Sequence, residues 1–408
     1  MRFIVLATTT LALAAVIAPS LSQAQERNAE PAGTPVKLKQ FYVVLSKPPM
    51  TEEERATLRD QAASSQTIAL WSYSTVAQDG KTYTGTMVGR SPFAHGHRVT
   101  TIPTFLIPVI FTFQDSGDVF DPTVYDGCAP AKESVITLIK NSPLIGTPNF
   151  TMNGVNVGVG QYVDEFQRAS FWTKVGGTPY HTTFGTNPTV LAAVSVTVPS
   201  AHGVTVPKAG FNGCRDIGEL DMDWWDTQVQ TVIMPQLVAS GVGPANFPQF
   251  IFDSVAEYIG GNTANCCALG YHNAYSNSGV FQTYSVNEYD TSGGFGGNTS
   301  TMSHEIAEWM DDPAINNLVP AWGAEGQVTA GNCQDNLEVG DPLSPGWSTP
   351  TNPILVTNTT TGVQYTLQEL AFYSWFLDSN PSLGAGGKYS NNGTFSGYAK
   401  PCPAGGTN

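Results

Sequence analysis

Ser303-His304-Glu305-Ile306-Ala307-Glu308-Trp309-Met310-Asp311-Asp312-Pro313 is the stretch on which the reading of this chain turns. At ~100° per residue, a helix here sets His304 and Glu308 on one side, with Glu305, Asp311 and Asp312 close by. Met302, Ile306, Trp309 and Met310 gather on the other side, so the pattern predicts an amphipathic helix. Thr299, Ser300 and Ser303 offer N-cap oxygens, and Pro313 supplies the stop because the residue before a proline is pushed out of helical geometry. A histidine and a carboxylate one turn apart, with another carboxylate between them, is the pattern of a helix-borne metal site.

Catalytic zinc takes three protein ligands and keeps a further position for water, whose pKa then falls toward neutrality. His304 and Glu308 are read as two of the ligands, and Glu305 as the general base that takes a proton from that water. The third ligand is expected from Cys333-Gln334-Asp335-Asn336-Leu337-Glu338-Val339-Gly340-Asp341-Pro342, with Glu338 the first choice and Asp341 able to replace it. Asp341 or Asp312 is otherwise expected to orient His304 from the outer shell. The divalent metal is expected to be zinc, while so many carboxylates leave calcium or manganese open. His272 reads either as a catalytic group that binds substrate or stabilises an oxyanion, or as a hydrogen-bonded structural histidine.

This His-Glu-x-x-Glu helix with a downstream glutamate resembles the zincin class of metallopeptidases over residues 220–343. The resemblance implies a metal-dependent peptidase acting on a peptide or protein, with Glu338 completing the ligand set. Glu308 stands where many zincins carry a second histidine. The wider set, Ser303-His304-Glu305 with Glu308, Asp312-Pro313, Trp322, the Glu338 to Asp341 turn and Gly270-Tyr271-His272, also resembles secreted bacterial proteins distantly like plant phosphate-induced (exordium-type) proteins. That second resemblance implies an extracellular location and no settled reaction.

Met1-Arg2, the apolar run from Phe3 to Ala18 and Ser22-Gln23-Ala24 read as a secretory signal peptide over residues 1–24. A polar leader is expected over 25–36, and a single loop-rich α+β domain with a mixed sheet over 37–408. Location is therefore expected to be secreted or periplasmic, with no membrane partner after signal cleavage. The chain carries 18 basic and 33 acidic residues, a net charge of −15, which disfavours phosphate backbones, so nucleic acid is not expected as a partner. Six cysteines in an exported chain allow up to three disulfides among 15 pairings, and the adjacent Cys266 and Cys267 are expected to bond to different partners.

Strands are expected over Phe41 to Leu45, Thr104 to Phe113, Val190 to Val198, Phe250 to Phe252, Ala268 to Tyr271 and Val280 to Val286, with a hairpin around Asp79-Gly80. Helices are expected over Thr51 to Ala63, Ala131 to Lys140, Gln161 to Thr173 and Leu220 to Ser240, the last kinked near Pro235. The plainer alternatives are a surface helix whose acidic face is solvated, and a non-enzymatic secreted protein with a structural ion or none. A carbohydrate-directed enzyme using paired carboxylates is a third. His95 and His97 read as a loop rather than a metal pair. Asp221, Asp223 and Asp226 read as helix-start residues. Trp224, Trp225, Trp309 and Trp322 read as core rather than as a sugar groove.

Overall fold

Alternate residues of the strand Thr104–Phe113 feed two different cores: Leu106 joins one, and Ile107, Val109 and Phe111 join the other. Side chains of successive strand residues point to opposite faces, so such a strand must be covered on both. The computed structural model describes residues 50–94, 99–152, 155–295, 298–324, 333–344, 353–377, 389–392 and 399–402. The expected signal peptide, polar leader and Phe41 to Leu45 strand, and the His95/His97 pair, lie outside the described residues. No helix among the described residues is long and apolar enough to cross a membrane.

The main sheet runs in the order Val194–Val198, Thr104–Phe113, Phe247–Asp253, Val280–Tyr289, Gly270–Asn277. The first four strands are mutually parallel, and Gly270–Asn277 closes the order as an antiparallel edge strand. A four-stranded mixed sheet follows from it: Phe247–Asp253 turns at Ser254, which adopts positive φ, into Val255–Tyr258, which pairs with Ile217–Asp221 and Cys266–Ala268. Smaller hairpins, including Leu70–Val76 with Thr82–Val88 around Asp79-Gly80, complete an α+β, loop-rich architecture.

On one face of the main sheet lies the helix Ser300–Asp311, and its Met302, Ile306, Trp309 and Met310 join the first core as expected. On the other face, Trp225, Val229, Ile233 and Met234 pack against Phe250, Phe252 and Tyr284. The long helix expected over Leu220 to Ser240 is instead segmented. Leu220 and Asp221 end a strand, Asp221 caps Met222–Gln228, and a wider turn over Val229–Ile233 precedes Met234–Leu237. The wider turn sits where Pro235 has no N–H to give its i−4 carbonyl. Gln161 to Thr173 likewise breaks into Tyr162–Ser170 and Trp172–Val175, and the helix within Ala131 to Lys140 begins only at Val135.

Three disulfides close the chain, Cys128–Cys214, Cys266–Cys267 and Cys333–Cys402, a usage suited to an oxidising compartment. The expectation of separate partners for Cys266 and Cys267 is corrected. The peptide between them is cis and brings their Cα atoms to 3.0 Å, where a trans bond would hold them about 3.8 Å apart.

Next to Cys214, Arg215 bridges Asp126 at 3.0 Å and Asp253 at 2.9 Å, at the end of a central strand. Burial pushes the Asp253 carboxyl up to about 7 despite Arg215. A carboxyl whose folded pKa is raised gives stability that is full below about 4 and is lost as pH climbs through about 7. Thermal midpoints compared between pH 4 and pH 8 are therefore expected to fall less in Asp253→Asn than in the wild type; an equal fall in both would refute this assignment.

Candidate metal centre

His304 comes from the middle of a helix whose twelve residues are all buried, including the polar ones. The solvated acidic face considered from sequence is thereby overturned: the polar side of Ser300–Asp311 is covered by the chain around Gly340 and Gln368. Trp309 anchors the opposite side, stacking on Phe247 with centroids 3.6 Å apart and donating its Nε1–H to Thr283 at 3.0 Å. The helix approaches the edge strand closely because residue 270 is glycine. A Cβ there would lie 2.6 Å from the Val286 carbonyl oxygen and 2.7 Å from Thr301. The expected N-cap bond does not form; the Thr299 hydroxyl donates to the Thr366 carbonyl at 2.9 Å.

His304 Nε2 lies 3.0 Å from Glu308 Oε1 and 3.5 Å from Asp341 Oδ1. Its other nitrogen, Nδ1, is 3.0 Å from Gln368 Oε1. The Gln368 amide is fixed in that orientation because its Nε2 donates to the Gly340 carbonyl at 2.7 Å and to Ser344 Oγ at 2.6 Å. An amide oxygen can only accept, so Nδ1 carries the proton and Nε2 faces the carboxylates.

His272 arrives from the edge strand, on the side facing the helix. Its Nδ1 is 3.5 Å from Glu305 Oε2 and 3.9 Å from Glu308 Oε2, while Nε2 is 3.2 Å from the Asp312 carbonyl oxygen. The outer nitrogen again meets an acceptor and the inner one faces acids.

The acids are nearly water-free: Glu305 is 1%, Glu308 3% and Glu338 1% exposed. Burial drives the Glu305 carboxyl well above its ordinary range, and both its oxygens lack hydrogen-bond partners. Burial also raises Glu338, helped by repulsion from Glu308, and pushes Asp341 up to about 7. Burial opposes ionisation of Glu308 too, but the His304 imidazolium beside it holds that carboxyl below the usual value. His304 is pushed up in turn, because attraction to Glu308 outweighs the burial that would lower it.

Two sets of donor atoms each converge within 4.8 Å: His304, Glu308 and Asp341, and His272, Glu305 and Glu308. Glu338, the first choice for third ligand, lies in neither set; it is near enough to repel the others, and Asp341 takes the place beside His304. Asp312 does not orient His304 as expected. Its carboxylate accepts from the backbone N–H groups of Asn316 and Asn317 and shapes the turn after the helix, while Gln368 orients the ring. No sequence signal marks Gln368, which lies 64 residues from its partner.

Other convergences are engaged by protein partners. Asp164 binds His181 at 2.7 Å and the Thr182 N–H, with Glu165 paired to Arg168 at 2.6 Å. The Cys266 and Cys267 sulfurs near Glu219 are committed to their disulfide. Asp226 accepts from Tyr271, Tyr284, Asn273 and Gln230, which orders the opposite face of the sheet. Trp225, Trp309 and Trp322 are core residues.

No protein-family model, curated protein or solved structure matches the chain.

Gly340 abuts the His304 ring so closely that a Cβ would fall 2.2 Å from Nδ1. Gly340→Ala is expected to push the ring off its ligand geometry and weaken binding of added Zn²⁺ at least tenfold by calorimetry. Unchanged affinity would show that His304 does not bind the ion.

Proposed function

We propose that this chain is an exported metal-dependent hydrolase, most simply a peptidase, whose cation sits between His304, Glu308 and Asp341. One observation carries the reading: His304 has its outer N–H held by Gln368, so its inner nitrogen faces two carboxylates at 3.0 and 3.5 Å. Ligand atoms set tetrahedrally at about 2.0–2.2 Å around zinc are roughly 3.3–3.6 Å apart, close to these separations. The donor set therefore fits a divalent cation, with zinc the first candidate and calcium or manganese allowed by its oxygen content.

A cation there would polarise a carbonyl oxygen and acidify water. The remaining work belongs to side chains. Glu305, buried and without hydrogen-bond partners, accepts the proton lost by the attacking water and delivers it to the leaving amine. Gln368 holds the His304 tautomer, and the Gly340 N–H at 3.0 Å fixes Glu308. Glu338 adds negative potential that favours a cation over a neutral site.

The burial of the cluster favours a second reading, a structural ion in a secreted non-enzymatic protein, since closed sites are the habit of structural metals. Glu305→Gln separates the two. On the hydrolase reading it retains the His304 ion and loses cleavage of a labelled protein substrate by 10²–10⁴-fold or more. Glu308→Ala is expected to lose the ion. Bound metal with no hydrolysis in the wild type, and a large drop in melting temperature on chelation, would instead establish the structural role.

A further inference from the structure

We infer that the site holds two cations, bridged by Glu308, with the second one held by His272, Glu305 and Glu308. This rests on the metal reading above and extends it. Glu308 turns its two oxygens to different imidazoles: Oε1 lies 3.0 Å from His304 Nε2, and Oε2 lies 3.9 Å from His272 Nδ1. A carboxylate can hold one ion on each oxygen, whereas a histidine in that position would present a single inward nitrogen. The glutamate that ends the His-Glu-x-x-Glu pattern thus has a chemical reason that a one-metal site does not supply.

His272 is prepared in the same manner as His304. Its Nε2 is satisfied by the Asp312 carbonyl oxygen, which leaves Nδ1 aimed at Glu305 and Glu308. Glu305 is 1% exposed and neither of its oxygens accepts a hydrogen bond, so a buried carboxylate with unused acceptor capacity faces the second position. One of its oxygens suffices as a ligand and the other remains for a proton.

Charge points the same way. The ion pairs that Lys and Arg make among the described residues lie elsewhere, at Glu52, Asp79, Asp126, Glu165 and Asp253. Glu305, Glu308, Glu338 and Asp341, once ionised, are matched by two divalent cations and left in excess by one. Two-metal hydrolytic sites place their ions about 3.5–4 Å apart, a span one bridging carboxylate covers.

The whole folded chain is stripped with chelator and titrated with Mn²⁺, the bound ions are counted after gel filtration, and spin coupling is read by electron paramagnetic resonance. Two ions per wild-type chain with a coupled spectrum are expected. His272→Ala should keep one uncoupled ion, with affinity for the second reduced at least tenfold. A wild type that saturates at one uncoupled ion overturns the bridged pair and leaves the single-cation reading standing. A wild type that binds none overturns both. The wild-type count decides the matter even if His272→Ala fails to fold.

Discussion

The site turns on one constraint: two imidazoles and the carboxyl groups of Glu305, Glu308 and Glu338 are held together away from water, with Asp341 13% exposed at their rim. An ionised carboxylate in such surroundings costs several kcal/mol unless a positive charge compensates it. Within the protein the available compensation is protons: Glu308 raises the affinity of His304 for one, and burial raises that of Glu305, Glu338 and Asp341. The second imidazole, the Glu305 oxygens that accept no hydrogen bond and the raised carboxyls of Glu338 and Asp341 show how incomplete that compensation is. A divalent cation would supply what protons cannot, a concentrated charge that several donors share at once.

The fold serves this constraint by bringing four separate segments to one place. The edge strand Gly270–Asn277 delivers His272, the helix Ser300–Asp311 delivers His304, Glu305 and Glu308, the turn at 338–341 delivers two acids, and Gln368 arrives from beyond them. The helix is fixed to the sheet by the Trp309–Phe247 stack and by the absence of a side chain at Gly270. Backbone contacts then close the far side. Gly340 N–H binds Glu308, and the Gly340 carbonyl accepts from the same amide that orients His304. Glu308 and the amide that orients His304 are thus tied to one another through a single short loop, so a shift in either moves both.

Local signals are legible in the sequence and distant ones are not. Periodicity found the helix at His304, its apolar side and its end at Pro313, because those depend on residues three and four apart. Asp221 as a cap and the Asp79-Gly80 hairpin were legible for the same reason. Burial of the polar helix face was illegible, since nothing near residue 304 announces that Gln368 and Gly340 will cover it. His272 stands out in the sequence after Gly270-Tyr271, but its role is not legible there, because strand register against the helix sets which face it takes. The exchange of Asp341 for Glu338 depends on how the chain turns after Val339. The pairing of Cys266 with Cys267 depends on one peptide isomer that no pattern announces.

The central claim is that a cation lies where His304, Glu308 and Asp341 meet. Anomalous diffraction from crystals grown with Zn²⁺, recorded on both sides of the zinc absorption edge, tests it most directly. The account predicts a peak within about 2.0–2.2 Å of His304 Nε2, Glu308 Oε1 and an Asp341 oxygen. A map with no anomalous density at this cluster, and with His304 still bonded directly to Glu308, would contradict it.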